Sequence, residues 1–246
     1  MPAPSLPSPV KLLTDSLLFY KVRFATLVKL VIVPLLLTLV LVAMVAVIVA
    51  TANLSRLSLP VQLLITVPAL LVALVLATIF SLAGRTGLIK FIAQPESYTG
   101  IIQLFKTVWP LLWSFFLTQA LAGLIILVGF LLIIPGIIFA IRFLFVPFVA
   151  VLEAKFGRQA LAISRAYTQG RFWPLAGRSL FIGAISIILS LASTQFDSPW
   201  LTGLFQLLMM LVVGPLTTIY FYNLYQACKL GVNDFAPSRP TPAPNS

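Results

Sequence analysis

The sequence LLIIPGIIFAIRFLFVPFVAVLEAKFGRQALAISRAYTQGRFWP occupies residues 131–174. Its first half is apolar enough to lie in lipid, except that Arg142 stands among Phe, Ile and Val. Its second half is a basic segment that contains Arg158, Arg165 and Arg171. A helix satisfies its own backbone groups in lipid, so this change predicts a membrane-spanning helix followed by a segment at the membrane surface.

The composition of the whole chain indicates lipid surroundings. Of its 246 residues, 61% are hydrophobic and 9% are charged, and the mean hydropathy is +1.11. A soluble domain has about 25% charged residues, so this chain has too little polar surface to cover a globule in water. We therefore expect an integral membrane protein.

Six apolar runs approach or exceed the about 20 residues that an α-helix needs to cross a bilayer. They occupy residues 30–54, 61–84, 111–134, 137–152, 173–193 and 200–225. The sequence predicts an all-α, polytopic membrane protein with six transmembrane helices and short amphipathic interfacial helices. We expect one transmembrane domain, residues 11–229, between Pro-rich disordered tails at residues 1–10 and 230–246.

The loop charges are strongly asymmetric. Thirteen of the 16 Lys and Arg residues lie on the side of the two chain ends, whereas Arg56 alone lies on the other side. Arg142 and Arg178 fall inside predicted spans. Cytoplasmic loops carry an excess of Lys and Arg, so we expect both termini in the cytoplasm and the protein in the inner or plasma membrane.

A semi-polar stretch with an aromatic and a basic residue precedes each odd-numbered span. These stretches begin at Leu17, Ile101 and Ile163. We interpret the weak repeat as three units, each consisting of an interfacial helix followed by two spans.

The third stretch predicts an amphipathic helix at the membrane surface. Its apolar face contains Phe156, Ala160, Ile163 and Tyr167. Arg158 and Arg165 fall on the opposite face, and Arg171 follows as part of the same basic segment. Two interpretations are open: a topology determinant that shields the ends of the spans, or a recognition site for an anionic lipid or an acidic partner.

Charged residues within or at the ends of spans need partners, because an unpaired charge in lipid is costly. For Arg142 the candidates are Asp197, the acid expected on the outer side, and Gln206, at similar depth in the sixth span. Arg142 therefore either makes a hydrogen bond inside the bundle or contacts an anionic ligand such as a lipid phosphate. Glu153 and Arg178 lie near the same surface, and we expect an ion pair between them.

Small residues and prolines mark several spans. On one face of the fifth span lie Ser179, Gly183, Ser186, Ser190 and Ser193. They predict a close packing seam between helices or, alternatively, a polar transport path. Four spans are interrupted by Pro34, Pro68, Pro147 and Pro215. Each proline frees a carbonyl one turn earlier, and discontinuous helices occur in transporter sites.

The inventory of reactive side chains is small. The chain has no histidine, five acidic residues and one cysteine. General acid–base chemistry usually needs His or a carboxylate pair, and hydrolytic metal sites use clusters of His, Cys and carboxylates. We therefore expect no enzyme activity, no metal and no cofactor. The basic charge favours anionic lipid head groups over nucleic acid, and membrane protein partners stay open.

One pattern links residues 131–173 to a known family. It consists of a Pro-Gly turn, an acid ending a span, a glycine, an Ala-Leu-plus-Ser helix, an aromatic entry to the next span and a late Leu-Tyr. Here these are Pro135, Gly136, Glu153, Gly157, Ala160, Leu161, Ser164, Trp173, Leu224 and Tyr225. The pattern resembles a bacterial six-span family of uncharacterised membrane proteins, which includes the membrane domain of some glycerophosphodiester phosphodiesterases. The resemblance implies the membrane architecture; the family's catalytic barrel, with its histidines, has no counterpart in this sequence.

These observations favour a non-catalytic membrane protein that binds lipid or organises a membrane complex. The alternative is a small transporter or lipid flippase, with Arg142 and the small-residue stripe lining a path. An accessible cavity at mid-depth that Arg142 faces would favour transport. A closed core with Arg142 satisfied internally would favour the first interpretation.

Overall fold

The computed structural model describes residues 6–54, 58–98, 100–192 and 198–233. Within these ranges the chain forms ten α-helices, two short 3₁₀ turns and no strands. The helices are α1 (Pro9–Val22), α2 (Phe24–Leu54), α3 (Leu59–Ala93), α4 (Ile101–Val108), α5 (Leu112–Phe130), α6 (Ile134–Arg142), α7 (Val146–Leu152), α8 (Arg158–Thr168), α9 (Phe172–Ala192) and α10 (Pro199–Asn233).

Six segments are long and apolar enough to cross a membrane: α2, α3, the α4–α5 unit, the α6–α7 unit, α9 and α10. The prediction of an all-α polytopic membrane protein is confirmed. The ends of the spans differ from the sequence prediction, because α3 continues to Ala93 and so carries Arg85 and Lys90 within a helix. Likewise, α10 continues to Asn233, past the predicted end of the sixth span.

Short helices precede the odd-numbered spans, as the weak repeat predicts. They are α1 before α2, α4 before α5 and α8 before α9. Helix α1 begins at Pro9, inside the segment expected to be a disordered tail, because Ser8 caps it by accepting a hydrogen bond from the Lys11 N–H (3.2 Å). The ordered chain therefore starts earlier than the Pro-rich composition indicates.

Packing is concentrated at the end of the bundle that carries the short helices. We call this end the packed half; it contains α1, α4, α7 and α8 with the adjoining ends of the long helices. Fully buried residues there include Leu27, Leu104, Val149, Ala160 and Leu224. Because this half contains the junctions between spans, it also holds most of the polar contacts described below.

The opposite ends of three long helices form what we call the open half, residues 36–52, 59–75 and 200–210. Here Ala52 is the one buried side chain, and large apolar residues such as Leu64 (73% exposed) face outward. Lipid tails are as apolar as Leu, so these helices need few buried contacts here, although α2 and α3 still touch where the Gln62 Nε2 donates to the Ala52 carbonyl (3.3 Å).

Proline kinks in the packed half are satisfied by neighbouring helices. Pro215 removes the N–H that would bond to the Leu211 carbonyl, and the Tyr20 hydroxyl of α1 donates to that carbonyl instead (3.2 Å). Gly84 lies against the kink at Pro34, where an added Cβ would come within 2.9 Å of the proline ring. Helices α1 and α3 thus contact α10 and α2 next to these prolines.

The predicted Pro135-Gly136 turn is displaced. The turn itself is formed by residues 131–133, with Ile133 at φ 55°, and α6 begins at Ile134 with Pro135 in its first turn. Gly136 lies in a close contact between helices instead of in the turn. A Cβ added there would lie 2.7 Å from the Phe130 backbone, and Gly129 lies in the same contact. The glycines allow α5 and α6 to approach closely.

Candidate functional site

The fourth span is discontinuous. Helix α6 ends at Arg142 and α7 begins at Val146, because Pro147 cannot continue the ladder of α6. Ser164 of α8 bridges the gap: its Oγ donates to the Arg142 carbonyl (2.8 Å) and accepts from the Phe145 N–H (3.2 Å). The break is thus satisfied by a side chain from α8.

Helix α8 packs against the bundle through the apolar face that the sequence predicts, and its position at the membrane surface stays a prediction. Its buried residues are Ala160, Leu161, Ser164, Tyr167 and Thr168. Arg158 and Arg165 are exposed on the other face, as expected. Arg171 is not: it is 9% exposed, and its Nη1 donates to the Cys228 carbonyl (3.4 Å), so it holds α10 and does not face lipid head groups.

Arg142 is not joined to either predicted partner within the described chain. The backbone carbonyl of Arg142 accepts hydrogen bonds from Ser164 and Thr168. Its half-buried side chain makes no hydrogen bond or ion pair with a described residue. Gln206 is exposed in the open half and is not bonded to Arg142. Asp197 lies outside the described residues. The internal hydrogen bond to Gln206 is therefore absent.

Glu153 does form an ion pair, but with Lys229 instead of Arg178. Its Oε1 accepts from Tyr225 (2.5 Å), Tyr167 (2.9 Å) and Lys229 (3.0 Å). Burial alone would raise the pKa of Glu153, but the hydrogen bonds from Tyr225, Lys229 and Tyr167 outweigh it and lower that pKa. Burial and the bond to Glu153 raise the pKa of Tyr167 to about 12. The cluster ties α7, α8 and α10 together.

Arg178 anchors the start of the chain. Its Nε donates to the Pro7 carbonyl and its Nη2 to the Leu6 carbonyl, each at 2.9 Å, and its Nη1 donates to the Pro174 carbonyl at 2.9 Å. The predicted pair with Glu153 failed because backbone carbonyls from a distant segment occupy the guanidinium. We conclude that Arg178 has a structural role.

The small-residue stripe of α9 is not a close packing seam at its centre. A Cβ built on Gly183 would meet no atom within 4 Å. Ser186 donates to the Ile182 carbonyl of its own helix (2.9 Å), and the buried residues of α9 are Leu175 and Ile182. Ser193 lies outside the described residues. The packing interpretation is thus wrong at Gly183.

A cavity of about 590 Å³ lies between α2, α3, α5, α7 and α10. Its wall includes three of the helix irregularities, at Pro34, Pro147 and Gly214. On α2 it runs from Leu30 to Thr38, about 12 Å of helix at 1.5 Å per residue. Leu30 begins the apolar run of α2, so the cavity lies in the part of the membrane next to the packed half.

The polar lining of the cavity differs from the residues singled out in the sequence. Arg142 and the α9 stripe do not line it. Arg85 does, and it is exposed with no partner among the described residues. Gln119 also lines it, and its Oε1 is covered and lacks a hydrogen-bond partner. In the sequence, the prolines indicated that the spans are interrupted, but they did not indicate which polar side chains line the cavity.

The described residues contain no group of three or more His, Cys, Asp or Glu side chains that could hold a metal ion. Comparisons of the chain with family models, curated proteins and solved structures find no match. The geometry of the cavity is therefore the main guide to function, and the likeness to the six-span family stays a prediction.

Proposed function

We propose that this protein is a non-catalytic membrane protein that binds an anionic lipid in the cavity between α2, α3, α5, α7 and α10. The observation that carries the proposal is the cavity itself, a partly open apolar cleft whose wall includes Arg85, which has no partner among the described residues. Small-ligand sites have volumes of about 300–1,000 Å³ and place few polar groups in a mostly apolar wall. The volume of about 590 Å³ falls in that range.

The lining of the cavity matches the two parts of an anionic lipid. Leu88, Phe115 and Phe148 supply apolar wall for an acyl chain. Arg85 is eight residues from the end of α3 at Ala93, about 12 Å along the helix, close to where head groups begin. An arginine at such a depth is stabilised by a phosphate, which it can bind through two parallel hydrogen bonds.

The test is native mass spectrometry of protein purified gently from its own membrane. We expect a retained anionic lipid in the wild type and a loss of about tenfold or more in Arg85→Ala, because a charged hydrogen bond contributes about 1.5–3 kcal/mol. Arg158→Ala is the matched control, since Arg158 is also exposed but lies outside the cavity. Equal lipid retention in both variants would refute the proposal.

A small transporter or lipid flippase is the second candidate, supported by the break between α6 and α7 and by the kinks that line the cavity. Discontinuous helices surround substrate sites in many transporters. Movement of a labelled lipid between leaflets of reconstituted vesicles distinguishes the two functions. A simple lipid-binding protein leaves the rate equal to that of empty vesicles, whereas a flippase raises it, and Arg85→Ala removes the increase.

We also propose that the protein resides in the inner or plasma membrane with both termini in the cytoplasm. The support is the excess of Lys and Arg on the side of the chain ends. A cysteine introduced after α10 should react with a membrane-impermeant thiol reagent in inverted membranes and be protected in intact cells. Reaction in intact cells would reverse the orientation.

A further inference from the structure

Gln119 is an unsatisfied amide in the cavity wall. It lies on α5, seven residues after Leu112, within a membrane-spanning segment. Its Oε1 is covered and without a partner, and its side chain makes no hydrogen bond with a described residue. Buried polar groups are nearly always bonded, and the terminal torsion of Gln is broad, so a small rotation turns either end of the amide toward a ligand.

None of the hydroxyl groups in the wall donates to Gln119, neither Ser81 nor the three threonines. Thr38 donates to the Pro34 carbonyl (2.8 Å), Thr217 to the Val213 carbonyl (2.8 Å) and Thr218 to the Gly214 carbonyl (2.9 Å). Each hydroxyl has a single hydrogen, which is used within its own helix. What these threonines offer to the cavity is acceptor oxygens.

The cavity wall therefore contains one cation, Arg85, together with the Gln119 amide and the hydroxyl groups of Ser81 and the threonines, and each of these neutral groups has an oxygen that can accept a hydrogen bond. We propose that Gln119 is a specificity-determining residue that selects, among anionic lipids, those that carry a hydroxyl group. This inference rests on the proposed lipid-binding function. The hydroxyl belongs either to the head group, as in phosphatidylglycerol, or to the glycerol backbone, as in a lysophospholipid. In both cases the hydroxyl donates to Gln119 while Arg85 binds the phosphate.

Competition between matched lipids tests this selection. The purified protein is offered equal amounts of phosphatidylglycerol and phosphatidylmethanol with the same acyl chains, and the bound ratio is read by native mass spectrometry. Phosphatidylmethanol has the same charge and no hydroxyl. A third arm with lysophosphatidylmethanol, which has a backbone hydroxyl only, distinguishes the two sources. We expect wild type to prefer a hydroxyl-bearing lipid by about three- to tenfold, the effect of one neutral hydrogen bond.

Gln119→Met is the decisive variant, because Met has similar length and is apolar. We expect it to keep binding anionic lipid with a ratio near one, and to unfold at the same temperature as wild type or higher, since it removes an unsatisfied amide. Gln206→Met, the same change on the exposed surface of α10, should retain the wild-type ratio. A wild type that prefers neither phosphatidylglycerol nor lysophosphatidylmethanol over phosphatidylmethanol, or a preference that is unchanged in Gln119→Met, overturns the inference alone. Failure of all three lipids to bind overturns the proposed function as well.

Discussion

The packed half and the open half of this bundle follow different physical rules. The packed half joins α1, α7, α8 and α10 through named polar contacts, of which the Glu153 cluster and the Ser164 bridge are examples. In the open half, residues 59–75 of α3 contain no buried side chain. The open half consists of strongly apolar helix ends, whereas the packed half also contains the less apolar helices α1 and α8, so the two halves differ in polarity as well as in packing.

The difference between the halves shows which interactions hold the helices of a membrane protein together. Because lipid solvates apolar side chains, burying them against protein adds little beyond close packing. An unsatisfied backbone group costs several kcal/mol in the same surroundings. Contacts between helices are therefore concentrated where prolines and helix ends leave backbone groups without a partner in their own helix, as at Arg142, Phe145 and Leu211. The cavity lies next to these irregularities, because interrupted helices leave space between them.

The largest expected effect compares one substitution in the two halves. Leu224 is fully buried, whereas Leu64 is 73% exposed. We expect Leu224→Ala to reduce the free energy of unfolding in mixed micelles by about 2 kcal/mol or more, through the cavity that it leaves. Leu64→Ala should change it by less than about 0.5 kcal/mol. Equal losses would remove the distinction between the halves.

A second comparison concerns two serines. Ser164→Ala leaves the Phe145 N–H unpaired inside the protein, so we expect a loss of about 1–3 kcal/mol in the same assay. Ser186 donates only within its own helix, and Ser186→Ala should be close to neutral. A neutral Ser164→Ala would mean that the break in the fourth span does not depend on α8.

A third comparison probes the kink of α10. Tyr20→Phe removes the donor to the Leu211 carbonyl, and we expect a loss of about 0.5–1.5 kcal/mol. Tyr98 is partly buried and its hydroxyl has no partner among the described residues. Tyr98→Phe is therefore the control and should leave stability unchanged. If the two variants behave alike, α1 is not needed to satisfy the kink.

The smallest effect is the pH dependence of the Glu153 cluster. The pKa of Glu153 is lowered in the folded protein, so its contribution to stability is full above the unfolded pKa of about 4.3. It is lost as the pH falls through the folded pKa. We expect the stability difference between wild type and Glu153→Gln, measured from pH 7 downward, to shrink below about pH 4.3. A difference that is constant with pH would show that the Glu153 carboxylate is not the origin of the effect.

The six spans were predictable from sequence because each is a continuous apolar run, and the faces of Arg158 and Arg165 followed from helical spacing. The partners were not predictable, since they come from distant segments. Lys229 lies 76 positions after Glu153, and the carbonyls held by Arg178 lie 171 and 172 positions before it. Arg171 was misassigned for the same reason: nothing local indicates that α10 covers it.

The cavity shows the same limit. Pro34, Pro147 and Pro215 indicated that helices bend, but a cavity between five helices depends on how the bends face one another. Arg85 was counted as a loop charge because the apolar run of α3 weakens at Gly84, while the helix itself continues. Gln119 carried no periodic or local signal. A lone amide in a span becomes notable only when its neighbours are known.

Photo-crosslinking tests whether a lipid is held in the cavity between α2, α3, α5, α7 and α10. Phosphatidylglycerol with a diazirine in its acyl chain is irradiated with the reconstituted protein, and crosslinked peptides are mapped by mass spectrometry. We expect saturable labelling at the cavity wall, at Leu88 and Phe115, that unlabelled lipid displaces and Arg85→Ala reduces. Labelling spread over the exposed helices around Leu64, without saturation, would contradict it.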